Sequence, residues 1–232
     1  MKLRKDDIER ILDVSAVQSP DGEKEVKKLI NAAQRYNFAC LYVLPCWVFY
    51  LRKNMVKNSS VHIASTVGFP SGAHTKEVKV FEAKELIKQG VQELDLSLNV
   101  GMLRSGRYDY VKDEIKMIVE KTENITVKVI LEIDYLANDN IKKACELSID
   151  AGADFIKTSS GWTKGGATFE IVSMINSFVG NAIKVKASGG IRDLNTIIQM
   201  YKLGVSRFGI NLNSAINILH ECEGIPSEII SF

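Results

Sequence analysis

Four prolines in 232 residues are too few to build a Pro-rich linker, and no low-complexity tract or shift of composition divides the chain. The four cysteines, Cys40, Cys46, Cys145 and Cys222, form no C-x-x-C pair, which argues for reduced thiols and against a disulfide framework or a zinc site. Histidines are equally sparse: His62, His74 and His220 stand apart, so no metal is expected. No apolar run approaches the ~18 residues of a membrane span, and "MKLRKDDIERILDV" turns acidic where a signal peptide would carry its apolar core. Charge of one sign is lacking too, because 30 basic and 28 acidic residues are interspersed and leave a formal charge of +2 without a nucleic-acid-binding stripe. These absences leave a cytoplasmic globular protein as the expectation, with neither nucleic acid nor membrane as partner.

What is present is a core-forming composition, 46% hydrophobic and 25% charged, arranged in two alternating periods. Short β-branched or apolar runs recur at 10–17 ("RILDVSAV"), 38–44, 61–67, 91–98, 125–132, 153–157, 182–188 and 205–210. Between them lie segments of helical period, with Val26, Leu29, Ile30 and Ala33 on one face, then Val111, Ile115, Ile118 and Val119, then Ile171, Ile175 and Phe178. Gly90, Gly152, Gly180 and Gly204 follow helical segments as stop signals. Eight strand–helix units predict parallel pairing and an α/β fold, a single-domain (β/α)8 TIM barrel over residues 1–232 with a short N-terminal helix. No G-x-G-x-x-G follows the first strand, which counts against a dinucleotide-binding sheet.

Residues two apart in a strand share a face. "VQELDLSL" therefore sets Glu93, Asp95 and Ser97 opposite Leu94, Leu96 and Leu98, and the leucines suit the helix layer. "AIKVKAS" likewise sets Lys184, Lys186 and Ser188 opposite Val185 and Ala187, while Phe155 and Lys157 share a face of "ADFIK". Lys157 and Lys186 are 29 residues apart, one βαβ unit, so they belong on neighbouring strands about 4.8 Å apart. Both fall at carboxyl ends of strands, where barrel enzymes place their chemistry.

Burial and a neighbouring like charge both disfavour an ammonium, so one of the two lysines is expected to be partly neutral near pH 7. A neutral lysine amine attacks carbonyl carbon and forms a Schiff base. Asp95, read as ending its strand, is placed to balance the remaining ammonium and to move protons. The competing reading is a structural network of buried Lys, Glu and Asp filling the barrel, since such networks also perturb pKa values.

The blocks "STVGFPSGAHTKEVKVFEA", "GVQELDLSLNVGMLRSGRYDYV", "VKVILE", "GADFIKTSSGW", "GGAT" and "VKASGGIRD" resemble the deoxyribose-phosphate aldolase family of class I aldolases, in the family's order and over most of Ser65–Asp193. The resemblance implies that Lys157 forms the Schiff base, that Lys186 lowers its pKa, and that Asp95 belongs to the proton relay. It implies Lys128 and Asp13 as further pocket residues. The implied reaction is reversible addition of acetaldehyde to glyceraldehyde 3-phosphate, with no metal or organic cofactor. Phosphate sites in such barrels use loops after strands seven and eight and a helix N-terminus, so Ser160, Gly161, Gly189 and Gly190 are candidate substrate-binding residues.

Several stretches depart from the family. After the last strand, Ile210, Asn211, Leu212 and Asn213 replace a small Gly-Thr-Ser-Ser type run. Asn211 is carried as a substrate-binding candidate there, Leu212 offers no hydroxyl, and Asn213 or Ser214 is expected to cap the following helix. Val14 stands where a histidine is usual, and Tyr42–Pro45 replace Cys-Val-Asn-Pro. The acceptor is therefore open between a phosphorylated and an unphosphorylated aldehyde, and a non-catalytic sugar-phosphate-binding barrel is the third reading. Trp162 is open between lining the site and packing, Cys46 is expected to be buried and inert, and His74 to anchor a loop. A homodimer through outer helices is a further open expectation.

Overall fold

The computed structural model describes residues 2–55, 60–123, 125–224 and 229–231. The chain enters through β1 (Lys2–Arg4) and the short helix α1 (Lys5–Glu9). Eight parallel strands follow: β2 (Leu12–Ala16), β3 (Cys40–Val43), β4 (His62–Val67), β5 (Glu93–Ser97), β6 (Thr126–Ile130), β7 (Phe155–Lys157), β8 (Lys184–Ser188) and β9 (Val205–Asn211). They pair in chain order, and β9 closes on β2 to complete the barrel. Seven of the eight runs read from the sequence contain a whole strand, and the eighth, 205–210, stops one residue short of the end of β9. β10 (Ile229–Ser231), antiparallel to β1, is a small addition that periodicity did not announce.

Seven of the outer helices are α2 (Glu23–Ala33), α3 (Val48–Asn54), α4 (Lys76–Lys88), α6 (Tyr108–Lys121), α7 (Asn138–Asp150), α8 (Phe169–Val179) and α9 (Leu194–Lys202). The eighth is α10 (Leu212–Glu223), and a short α5 (Val100–Arg104) precedes α6. The helices begin and end where local chemistry demands. Thr168, Asp193 and Asn211 side chains accept hydrogen bonds from backbone N–H groups in the first turns of α8, α9 and α10. Gly90 stops α4 at φ 90°, and a Cβ there would lie 2.0 Å from the Arg52 guanidinium that donates to its carbonyl. Among the described residues, no helix is long and apolar enough to cross a membrane.

The apolar core lies between the strands and the helices. Val14, Leu41, Ile63, Leu94, Leu96, Val127, Val129, Ile156, Val185 and Ala187 point outward into it from successive strands. They meet Val26, Leu29, Leu51, Leu86, Ile115, Ile118, Ile141, Ile175, Ile197 and Ile218 from the helices. The barrel interior, filled in many such folds by branched apolar side chains, here holds Asp13, Glu93, Asp95, Lys128, Lys157 and Lys186, all buried. The outward leucines and inward acids of β5 lie as the two-residue alternation predicts. Lys184 shares the inner face but emerges exposed at the amino end, with Nζ 5.5 Å from the centre of the Phe155 ring.

One ion pair sits in the helix layer. Lys79 on α4 and Glu114 on α6 are fully buried, with Nζ donating to Glu114 Oε2 at 2.8 Å and to the Ser97 carbonyl at 2.9 Å. Burial pushes the Glu114 carboxyl up and the Lys79 ammonium down, so each holds its charge chiefly through the other. Lys79→Met should lower stability by about 3–5 kcal/mol by stranding the carboxylate, and the double variant Lys79→Met/Glu114→Leu should regain most of it. Chemical denaturation of the two variants checks this.

Candidate active site

Lys157 ends the three-residue β7 and lies in register opposite Lys186 of β8. The two side chains share the inner face as predicted, but they do not confront each other bare. Asp95 Oδ2 accepts from Lys157 Nζ at 2.8 Å and from Lys186 Nζ at 2.9 Å. Asp95 is the central residue of β5 rather than its last, because Leu96 and Ser97 continue the pairing with Val129 and Ile130. It is therefore fully buried, while Lys157 keeps 5% exposure.

A second tier lies deeper. Lys186 Nζ is 2.7 Å from Asp13 Oδ2 and 3.9 Å from the centre of the Tyr42 ring. Lys128 donates to Glu93 and, at 2.8 Å, to the Tyr42 hydroxyl, with Asp13 Oδ2 at 3.6 Å. Arg207 of β9 donates to Asp13 Oδ1 from Nε at 2.8 Å and reaches Glu93 Oε2 at 3.1 Å. The interior thus joins four cationic side chains, Lys128, Lys157, Lys186 and Arg207, to three carboxylates, Asp13, Glu93 and Asp95. Within this set, neutrality is reached when one amine gives up its proton.

The local fields select that amine. Burial pushes the Lys157 ammonium below its usual pKa, Lys186 adds to the effect, and Asp95 opposes it. The like charge is therefore a contributor, with desolvation the larger cause. Burial also opposes the charge on Lys128, but Asp13, Cys40, Glu93 and Asp95 outweigh it and hold that lysine protonated. Burial opposes the Asp95 carboxylate as well, yet Lys157, Lys186 and Lys128 hold its pKa well below the ordinary range. Asp13 is held low in the same way by Lys128, Lys186 and Arg207.

The loop after β7 covers this group. Glu132, a non-glycine residue at φ 55°, accepts from Ser160 N at 3.0 Å and from Thr163 Oγ1 at 3.4 Å. Trp162 Nε1 donates to the Val17 carbonyl at 2.8 Å, Gln18 Nε2 donates to the Gly161 carbonyl at 3.3 Å, and Phe69 meets the Trp162 ring edge-on at 5.6 Å. Trp162 thus ties the β7 loop to the β2 loop across the barrel mouth. Gly189 takes φ 91° with Gly166 packed against it, where a Cβ on Gly166 would lie 2.5 Å from the Gly189 carbonyl carbon. Gly190 faces open space.

Asn211, and not Asn213 or Ser214, caps α10: its Oδ1 accepts from Ser214 N at 2.9 Å. A cavity of about 190 Å3 beside it is lined by Ser15, Gln18, Asp21, Glu25, Lys28 and Leu212, among others. Cys46 is exposed, contrary to the buried thiol expected, because it lies in a single 3-10 turn at the end of β3. His74 is exposed and lines an outer groove.

Arg207 was overlooked as a site residue, although it stands two residues before Gly209 on a strand whose alternation points it inward, and Tyr42, singled out only as part of a loop departing from the family, lies on β3 inside the barrel. The structure also gathers Cys40, His62 and Glu93, with one donor atom from each within 4.8 Å of the others, at the amino end of the barrel. That grouping is invisible in sequence because the three residues come from three strands. Arg207 lies 3.1 Å from Cys40 Sγ and 3.1 Å from Glu93 Oε2, so a cation already serves these donors.

A closed parallel barrel with a desolvated, low-pKa lysine beneath its carboxyl-end loops defines the class of lysine-bearing barrel enzymes. The profile of the DeoC/LacD family aldolases matches residues 11–208. The deoxyribose-phosphate aldolase of Klebsiella pneumoniae is 40% identical over 219 residues, which cover 94% of this chain and 88% of that protein. Of solved structures, the aldolase QR15 superposes with a TM-score of 0.86 at 39% identity, covering 93% of this chain and 95% of the other. The deoxyribose phosphate aldolase of Aeropyrum pernix, described as having a unique tetrameric structure, gives a TM-score of 0.86 at 27% identity, covering 95% and 92%. The chain belongs to the DeoC/LacD family of aldolases.

Removing either neighbour of Lys157 should move its titration in opposite directions. Lys186→Leu deletes a repulsive charge and should shift modification of Lys157 by a small aldehyde plus borohydride to higher pH. Asp95→Asn deletes the carboxylate that favours the ammonium and should shift it to lower pH. Mass spectrometry across a pH series reads both, and an unchanged profile in Lys186→Leu removes that lysine from its role.

Proposed function

We propose that this class I aldolase cleaves 2-deoxyribose 5-phosphate reversibly to acetaldehyde and glyceraldehyde 3-phosphate, with Lys157 as Schiff-base residue. The observation that carries the reading is the buried Lys157–Asp95–Lys186 triad, whose geometry keeps one amine poised to lose its proton. In the synthetic direction, neutral Lys157 Nζ attacks the acetaldehyde carbonyl carbon. The carbinolamine loses water, and the iminium draws electrons from the adjacent C–H bond as a base removes that proton, giving the enamine. Enamine carbon attacks the acceptor carbonyl, whose oxygen takes up a proton, and water then releases product and amine. Asp95, within 2.8 Å of Nζ, passes protons directly or through water, while Lys186 and the Lys128–Asp13 tier hold the surrounding charge in place. Nothing in this sequence of steps calls for a metal or organic cofactor.

Ser160, Gly161, Gly189, Gly190 and Asn211 are assigned to the substrate-binding rim. A second reading, an unphosphorylated acceptor, is favoured by Leu212 and by the two carboxylates of Asp21 and Glu25, against the single cation Lys28, around the 190 Å3 cavity where a phosphate would approach α10. The reading takes residues 1–232 as one aldolase unit working in the cytoplasm on a small-molecule substrate. It includes a homodimer through α3 and α4, where Phe49 and Phe81 are each 67% exposed.

Acetaldehyde plus borohydride should leave a reduced adduct on Lys157 that is absent in Lys157→Ala, and Asp95→Asn should lower kcat about 10²–10⁴-fold. Peptide mapping and a coupled cleavage assay test these. A wild-type protein with no adduct sinks the lysine chemistry. Parallel assays of 2-deoxyribose with and without its 5-phosphate rank the two acceptors.

A further inference from the structure

Arg207 takes no part in the steps above, yet it reaches into the barrel from β9, level with Lys186 of β8. Its Nε and Nη2 both donate to Asp13 Oδ1, at 2.8 and 2.5 Å. Nη2 also lies 3.1 Å from Glu93 Oε2 and 3.1 Å from Cys40 Sγ. Three strands, β2, β3 and β5, thus present polar groups to one guanidinium. Unlike an amine, a guanidinium keeps its proton throughout the working range of a protein. Burial opposes the charge here, but Asp13, Cys40 and Glu93 outweigh burial and hold the Arg207 pKa above its ordinary value.

A fixed charge in that place sets the count for the mobile ones. The deep tier of Lys128, Arg207, Asp13 and Glu93 is neutral with all four groups charged. Lys157 and Lys186 are then left with Asp95, two amines for one carboxylate. Without the guanidinium, the deep tier would hold one carboxylate too many. That surplus lies within reach of the reacting amine: Lys186 Nζ joins Asp13 Oδ2 at 2.7 Å to Asp95 Oδ2 at 2.9 Å, and Asp13 is among the charges that favour the Lys157 ammonium. The other polar groups beside Arg207 do not take up the difference. Burial pushes the Cys40 thiol up, so it stays neutral. The His62 ring, 2.9 Å from Glu93 Oε1, is 47% exposed, where water screens its charge.

We propose that Arg207 is a positioning residue of the reaction: by neutralising Asp13 and Glu93 from behind, it leaves the two amines at the reacting end with a single carboxylate between them, so that one is free to act as nucleophile. The inference rests on Lys157 as the Schiff-base residue. Arg207 acts through Asp13 and Lys186, beneath the reacting amine, rather than on substrate.

The test treats the full chain with acetaldehyde and borohydride across a pH series and reads the fraction of Lys157 carrying the reduced adduct by mass spectrometry. Trapping needs the neutral amine, so a change that favours the ammonium moves the half-maximal point to higher pH. Arg207→Gln should move it up by about one unit, while Arg207→Lys, which keeps a cation there, should recover most of the wild-type position. Glu93→Gln removes a carboxylate instead and should move it down. The double variant Arg207→Gln/Glu93→Gln is again neutral in the deep tier and should return close to the wild type. A purely structural role for Arg207 would give the reverse, since losing a second partner adds to the damage. An Arg207→Gln profile coincident with the wild type, or a double variant shifted no less than Arg207→Gln, overturns the proposal. Should Arg207→Gln fail to fold, Glu93→Gln decides, and a profile that stays or rises there overturns it equally. Failure of the lysine chemistry itself would show separately, as absence of the adduct in the wild type at every pH.

Discussion

One carboxylate oxygen, Asp95 Oδ2, holds two lysine ammonium groups of neighbouring strands inside a barrel almost closed to water. Everything the site does depends on how that oxygen divides its field. It keeps Lys186 and Lys157 close enough for repulsion to matter, and it resists the loss of the Lys157 proton that burial demands. Burial prevails, so the Lys157 ammonium lies below its usual pKa, which is the condition that the proposed Schiff-base role requires. A deeper tier of Lys128, Arg207, Asp13 and Glu93 supports the balance, with its charges satisfied among themselves.

Such an interior is expensive to build, since each buried charge must recover its lost hydration from partners. The fold meets that demand by moving its apolar core outward, to the layer between strands and helices. The strands alternate so that branched side chains leave the barrel and charged ones enter it. Even the helix layer carries a buried pair, Lys79–Glu114, and its contact with the Ser97 carbonyl joins the outer scaffold to the end of β5.

The loops at the carboxyl end frame the mouth of the barrel. The rim of Trp162, Phe69 and Val17 crosses the mouth and leaves a larger cavity beside β5 and β6 and a smaller one beside β2 and β9. The smaller one is bordered by Asn211, whose side chain caps α10, and by Leu212, both from the stretch after the last strand that departs from the family pattern. The lysines lie on strands, where pairing fixes them, whereas Trp162, Gly189 and Gly190 lie on loops, where change leaves the barrel intact.

The two periods in the sequence determined the barrel, because alternation of two and of 3.6 residues states which face of each element is apolar, and eight such units have few ways to bury those faces. They also determined that Glu93, Asp95, Lys157 and Lys186 face inward, and the 29-residue spacing made the two lysines neighbours. What sequence spacing could not state is which atoms meet. Asp95 lies 62 residues from Lys157, and Arg207 lies 194 from Asp13. Their contacts arise from barrel closure and strand stagger, which are properties of all eight strands together. The cap at Asn211, the exposure of Cys46 and the bridge from Trp162 to Val17 were decided at the same level, since a loop's path depends on the elements it spans more than on its own residues.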